Sequence, residues 1–298
     1  MEDSSSTPQV ISQPDIYIKG KQRGNGQFAN IHEAVNARNA QTVVLKEPLV
    51  KGPAFEKEFM AEAKTLARLE HPNILPILNV YQEKDGTPVI VTKKISGPNF
   101  DEYIRQTNEK GQPIPIPDDE KLRLIEQVSS AVDYVNSENI LHRDIKPKNV
   151  LISHGNAYLA DFGNSSPVIN KENGTQDTDM TIGSPAFMSP EQVQGIEKPG
   201  DSEEYAVALL AYTVLTGKTV YEYTPIPDPA QNKMNEITQK MVAVATRNGL
   251  PEEAKAKLME KYPTTIDVFN KGLALKPEDR YQTATEFAHA LEGAMKNK

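Results

Sequence analysis

Asp144 and Asp161 stand seventeen positions apart. Asp144 lies in the run Leu141-His142-Arg143-Asp144-Ile145-Lys146-Pro147-Lys148-Asn149, and Asp161 follows a β-branched stretch and a turn, in Ala160-Asp161-Phe162-Gly163. Two acids, a lysine and an amide in this order suit phosphoryl transfer from ATP. One acid accepts the proton of an attacking hydroxyl. The second acid and the Asn149 amide are hard oxygen ligands of the kind that hold magnesium. Lys146 supplies a cation for the charge on the moving phosphoryl group.

The order H-R-D-x-K-x-x-N followed by D-F-G is a long, gapped pattern, and it resembles the eukaryotic-like (Hanks-type) Ser/Thr protein kinases. The wording Ser189-Pro190-Glu191-Gln192 and the closing run Leu273-Ala274-Leu275-Lys276-Pro277-Glu278-Asp279-Arg280-Tyr281 lie closest in flavour to bacterial members. The resemblance implies that Asp144 is the catalytic base and that Lys146 steadies the γ-phosphoryl group. Asn149 and Asp161 hold Mg2+, with Mn2+ as the alternative. His142 packs structurally under the loop, and Phe162 joins Leu66, Ile77 and His142 in an apolar column ahead of Gly163.

Upstream, Gly24-Asn25-Gly26-Gln27-Phe28-Ala29 resembles the family's phosphate-covering loop, with Ala29 at the third glycine position. Absent side chains at Gly24 and Gly26 let backbone N–H groups approach phosphate oxygens; read alone, the segment is more often an ordinary glycine hairpin. The resemblance places Lys46 on the α/β-phosphates and pairs it with Glu62. It makes Thr92 the gatekeeper and gives adenine to the backbone of Lys93 and Ile95. It also sandwiches the ring between Ile31, Val44 and Leu151.

Downstream, residues 161–191 match an activation segment ending Gly183-Ser184-Pro185-Ala186-Phe187-Met188-Ser189-Pro190-Glu191. There Ser184 is placed to link Asp144 and Lys146. Thr175, Thr178 and Thr181 are the phosphorylation candidates, with Arg143 as the partner for an added phosphate. Asp201 is read as the acid that braces the catalytic loop from the following helix. Counted from Asp201, that helix departs from D-x-x-S-x-G, since Glu204 and Ala206 take the serine and glycine positions. Arg280 is expected to pair with Glu191.

The elements that must position these groups follow from periodicity. Residues 1–15, rich in Ser, Thr, Pro and Gln, read as a disordered leader. From Ile16 to Val91, alternation and β-branched runs such as Thr42-Val43-Val44-Leu45 predict strands. One helix, Phe55 to Leu69, interrupts them. After Gly97-Pro98 the text turns helical: a helix opens at Asp118-Asp119-Glu120, with Leu122, Ile125, Val128, Val132 and Val135 as its apolar stripe. Later helices are predicted over 201–216, 233–247, 251–260, 264–275 and 282–296. The expectation is an α+β, bilobal protein kinase-like fold, with a small antiparallel-sheet N-lobe carrying one helix (16–91), a hinge (92–97) and a larger helical C-lobe (98–293). Residues 294–298 form a tail.

Bulk properties narrow the function further. The 298 residues carry a net charge of −8, which disfavours nucleic acid as the main partner. With no cysteine, disulfides, thiolate metal sites and cysteine nucleophiles are excluded. The most apolar run, Tyr205 to Leu215, is shorter than the ~20 residues a membrane helix needs and reads as a buried helix. No secretory signal is visible at the start. The expected partners are ATP and proteins bearing Ser or Thr, with self-association for autophosphorylation in trans. The expected location is cytoplasmic, and a secreted effector or a tethered longer parent stays open. Two competing readings are a pseudokinase that only binds and a small-molecule phosphotransferase of the antibiotic- or choline-kinase sort.

Overall fold

The computed structural model describes residues 16–25, 29–49, 52, 56, 59–60, 63–64, 66–162, 166–167, 184–194, 202–223, 243 and 246–297. The chain divides into two compact units, Met1–Ser96 and Gly97–Lys298.

The first unit is built on a five-stranded antiparallel sheet of order β1-β2-β3-β5-β4. Its strands are β1 (Tyr17–Asn25), β2 (Ala29–Asn36), β3 (Thr42–Pro48), β4 (Ile77–Gln82) and β5 (Pro88–Lys93). Period-two alternation sets which side chains go inside. In β3, Val43 and Leu45 are buried while Val44 and Lys46 fall on the other face. Ala34, Val43, Leu45, Tyr81, Val89 and Val91 form one core cluster, against which Tyr17 packs. On the expected helix, Glu56, Phe59, Met60, Ala63, Lys64 and Leu66 are helical, and Met60, Ala63 and Val80 form a second cluster.

The second unit is mostly helical. Its first helix, α1 (Phe100–Ile104), opens with a capping box. Asn99 accepts from Glu102 N at 2.9 Å, and the Glu102 carboxylate accepts from Asn99 N at 3.1 Å. The long helix α2 (Asp118–Ser137) starts on three acids, which suit the positive end of its dipole. It buries Leu124, Ile125, Val128, Val132 and Val135, so Leu124 rather than Leu122 completes the innermost stripe. Short strands β6 (Ile140–Leu141), β7 (Val150–Ser153), β8 (Asn156–Leu159) and β9 (Ser166–Pro167) pair as β6-β9 and β7-β8. They bracket the catalytic-loop sequence.

Four further helices follow a short one, α3 (Pro190–Gln194): α4 (Glu203–Thr216), α5 (Glu252–Met259), α6 (Ile266–Gly272) and α7 (Ala284–Lys296). Helix α4 is the centre of this unit, with every residue from Glu203 to Leu215 buried. Beyond its acidic first turn it is largely apolar all round, as suits a helix enclosed on every side. It ends at Gly217 (φ 71°), whose N–H bonds Thr213 O at 2.8 Å; glycine reaches that left-handed conformation without a Cβ clash. Asp133 of α2 accepts from Ala284 N and Thr285 N at 2.8 and 2.9 Å, so one helix caps another. Of the helix expected over 233–247, Ala243 and Thr246 are helical and most of the rest lies outside the described residues. No described helix is long and apolar enough to cross a membrane.

Candidate active site

In the first unit, β3 carries Lys46 opposite Ile31 of β2 and Ile90 of β5, and Val44 opposite Glu33 and Thr92. Strand alternation therefore puts Lys46 and Val44 on one face. Thr92 is buried at the end of β5. Lys93 N–H is donated to Pro76 O at 3.0 Å, so an adenine contact at Lys93 would have to use its carbonyl. Lys94, next in the hinge sequence, is ion-paired with Glu33 of β2. Gly24 lies in β1 opposite Ile31, whereas Gly26 and Glu62 lie outside the described residues.

In the second unit, the catalytic-loop sequence is held almost residue by residue. His142 is fully enclosed. Its Nε2 meets Ala160 O at 3.1 Å, and its Nδ1 accepts from Asp144 N at 3.3 Å. A carbonyl can only accept, so Nε2 carries the proton and the ring is neutral. Burial, partly countered by the Ala160 hydrogen bond, holds its pKa below the ordinary histidine value. Phe162 packs on this ring, with centroids 4.6 Å apart. His142 is thus a strut between the loop and the Ala160-Asp161-Phe162 turn.

Two side chains converge on the Asp144 carboxyl. Its Oδ2 accepts from Lys146 Nζ at 2.6 Å and from Asn149 Nδ2 at 2.9 Å. Lys146 Nζ also donates to Ser184 Oγ at 2.7 Å, so the ammonium is the link between the acid and the end of the activation segment. Asp144 Oδ1 is buried and makes no hydrogen bond. Around it, Arg143, Ile145, Ser184, Phe187, Met188, Gln192, Ser202, Glu203 and Ala206 line a pocket with Asp144.

Asn149 ends a short 3-10 turn, Pro147–Asn149. Its Nδ2 is committed to Asp144 O (2.8 Å) and Oδ2, which directs its amide oxygen elsewhere. Its backbone carbonyl takes Ala160 N at 2.8 Å, tying it to the residue before Asp161. Asp161 and Arg143 both have positive φ, 63° and 64°. Non-glycine residues hold such conformations only where surroundings over-determine them. Leu151 lies in β7, which an isolated bridge ties to Asn99.

A brace of the kind expected from Asp201 is made by Glu203. Glu203 Oε1 accepts from His142 N at 2.7 Å and Arg143 N at 2.9 Å, while Asp201 lies outside the described residues. Counting the helix pattern from Glu203 moves the serine and glycine positions to Ala206 and Ala208. The signal was present in the text: Glu203 and Glu204 lead directly into a run with no polar face to receive them.

Glu191 and Arg280 make a bidentate pair, Nη1 to Oε1 at 2.6 Å and Nη2 to Oε2 at 2.8 Å. Arg280 also donates to Ala274 O and Leu275 O and lies over the Tyr205 ring at 4.9 Å. Gln192, which sequence reasoning passed over, donates its side-chain amide to Arg143 O at 2.9 Å. Gly163, Thr175, Thr178 and Thr181 lie outside the described residues.

Comparison with known proteins agrees with this architecture. A family model described as "Protein kinase domain" matches residues 17–291. The serine/threonine-protein kinase PknF of Mycobacterium tuberculosis is 30% identical over 280 residues, covering 91% of this chain and 54% of that protein. A probable serine/threonine-protein kinase PknB of Corynebacterium glutamicum is 30% identical over 285 residues, covering 92% of this chain and 41% of that protein. The chain therefore spans about half the length, or less, of the curated relatives it matches. The crystal structure of the Mycobacterium tuberculosis PknI kinase domain superposes with a TM-score of 0.65 at 22% identity, covering 94% of this chain and 96% of that one. The twitchin kinase region of C. elegans superposes with a TM-score of 0.76 at 18% identity, covering 95% and 47%. With the family model matching nearly end to end, this α+β chain belongs to the protein kinase domain family.

Proposed function

We propose that the chain transfers the γ-phosphoryl group of ATP to Ser and Thr hydroxyls of proteins. The observation that carries this reading is the asymmetric setting of Asp144. One carboxyl oxygen is pinned by Lys146 and Asn149, and the other is buried without a hydrogen bond. A buried acceptor left unmade is costly, and a substrate hydroxyl would satisfy it while being turned for in-line attack. Lys146 then stands beside the acceptor and balances charge as the phosphoryl group moves.

Protein kinase domains use ATP and a divalent cation. Among the described residues, no group of three or more His, Cys, Asp or Glu side chains is arranged to hold a metal. Magnesium takes one or two protein oxygens and completes its shell with water and phosphate. Asn149 and Asp161 would hold it, with Mn2+ as substitute. Bound there, the cation would neutralise phosphate charge. Lys46, oriented by Glu62, would receive the α/β-phosphates under Gly24 and Gly26. Ile31, Val44 and Leu151 would enclose adenine beside Thr92, with the Lys93 carbonyl and Ile95 N–H as its backbone partners. The activation-segment threonines Thr175, Thr178 and Thr181 are the proposed autophosphorylation sites in a self-associated pair. The need for ATP supports a cytoplasmic location.

The test is purified protein with magnesium, labelled ATP and a generic basic protein acceptor. Label is expected on acceptor or chain, and is lost on Asp144→Asn or Lys46→Met. Absence of label with both magnesium and manganese would sink the proposal in favour of a binding-only domain. Label on a small alcohol alone would make the chain a small-molecule phosphotransferase.

A further inference from the structure

We infer that Gln192 is a positioning residue for Asp144, acting through the peptide plane that joins Arg143 to Asp144. This rests on the reading of Asp144 as the acid that receives the substrate hydroxyl. That peptide plane has two polar edges. Its N–H, from Asp144, is donated to His142 Nδ1 at 3.3 Å. Its C=O, from Arg143, accepts the Gln192 side-chain amide at 2.9 Å. With both edges held, the plane cannot turn about the chain axis without breaking a hydrogen bond.

The backbone on the near side of this plane is not relaxed. Arg143 has φ 64°, a left-handed conformation that a residue with a Cβ adopts at a cost. Glu203 holds the preceding N–H groups of His142 and Arg143. Gln192 holds the carbonyl that follows. Arg143 is therefore clamped on both sides of its strained torsion, and the following residue is Asp144. If the far clamp is released, the natural relaxation of Arg143 turns the 143–144 plane and carries the Asp144 carboxyl with it. Misplacement of a reacting group by about 1 Å can cost ~100-fold in rate.

Gln192 is itself set by its surroundings. It lies on α3, its backbone N–H donates to Ser189 Oγ at 3.1 Å, and its neighbour Glu191 is locked to Arg280. The amide thus reaches the catalytic loop from a helix anchored elsewhere in the unit, and it lines the same pocket as Asp144 and Ser184. Only a donor can serve at this position, because the group it meets is a carbonyl. Glutamine fits, and its near-isosteres methionine and glutamate do not.

The experiment compares the wild-type chain with Gln192→Met and Gln192→Glu in steady-state phosphorylation of a generic protein acceptor. Gln192→Met is expected to lower kcat about 30-fold with KM for ATP within about twofold, at an unchanged melting temperature. In Gln192→Glu, an ionised side chain faces the carbonyl and cannot donate, whereas its protonated form can. Its activity relative to wild type at the same pH is therefore expected to rise about fivefold or more between pH 8 and pH 6, a signature that a purely structural contact would not produce. Amide exchange at residues 142–145 should quicken in Gln192→Met, a readout independent of activity. If Gln192→Met does not fold, the pH ratio of Gln192→Glu decides. A wild-type-like kcat, or a flat pH ratio, overturns the inference. An inactive wild-type chain overturns the phosphotransfer reading instead, and exchange at 142–145 then settles whether Gln192 holds the loop.

Discussion

The carboxyl of Glu204 meets the side chain of Asn136 across the α4–α2 contact, its Oε1 accepting from Nδ2 at 3.3 Å. Its Oε2 and the Asn136 amide oxygen are both buried and make no hydrogen bond. Burial, together with the nearby charges of Glu203 and Asp133, pushes the Glu204 pKa up to about 8, against a backbone hydrogen bond and the Arg280 charge that pull the other way. The environment of the acid next in sequence to the loop brace thus favours its protonated form over that of an ordinary glutamate.

Stability should accordingly depend on pH through Glu204. Its folded-state pKa is raised above the unfolded value of 4.5, so its contribution is fully present below about pH 4.5 and is lost as pH rises through about 8. Glu204→Gln removes this dependence. The variant should match wild type near pH 5 and exceed it at pH 9 by a few kcal/mol, with about 4 as the upper bound. Urea unfolding of both proteins at the two pH values measures the difference. An identical pH slope would show that Glu204 is ionised in the folded state.

Arg280→Met leaves the Glu191 carboxylate buried without its cation and should cost about 3–5 kcal/mol. Adding Glu191→Gln removes the stranded charge, so the double variant should recover part of that loss. A double-mutant cycle in urea measures the coupling. Strict additivity would mean the pair is no more than two independent contacts.

Ser184 accepts from Lys146 while Lys146 donates to Asp144. Ser184→Ala deprives the ammonium of one of these two partners, and kcat should fall about tenfold, a single hydrogen bond to a charged group. Ser184→Thr keeps the hydroxyl and should keep most of the activity. Phosphorylation assays at saturating ATP compare the two.

Glu203→Ala strips the acceptor from two backbone N–H groups, one of them in fully buried His142. The expected loss is about 3 kcal/mol of stability, with faster amide exchange at His142 and Arg143. Glu203→Asp shortens the reach by one methylene and should fall between. Exchange rates unchanged from wild type in the alanine variant would remove Glu203 from the brace.

Part of the candidate site was readable before any fold was known. Asp144, Lys146 and Asn149 lie within six residues of one another, so their convergence in one loop needed no long-range information. The alternation of Val43, Val44, Leu45 and Lys46 foretold which face of β3 carries the lysine. Helix α4 announced itself by being largely apolar on every side. The limit came where polar groups meet across distant segments. Glu203 opens its helix and turns toward the loop sixty residues earlier, a pairing that periodicity cannot foretell.

The local code thus determined most of the described strands and helices and which candidate side chains share one loop, because strand and helix periods and turn preferences act over a few residues. Tertiary structure alone decided the rest. It gave the loop brace to Glu203, handed the Arg143 carbonyl to Gln192, and enclosed Glu204 beside Asn136. Each of those outcomes depends on which buried polar atoms find a partner at about 3 Å. That is a property of packing in three dimensions, set by contacts between segments far apart in the chain.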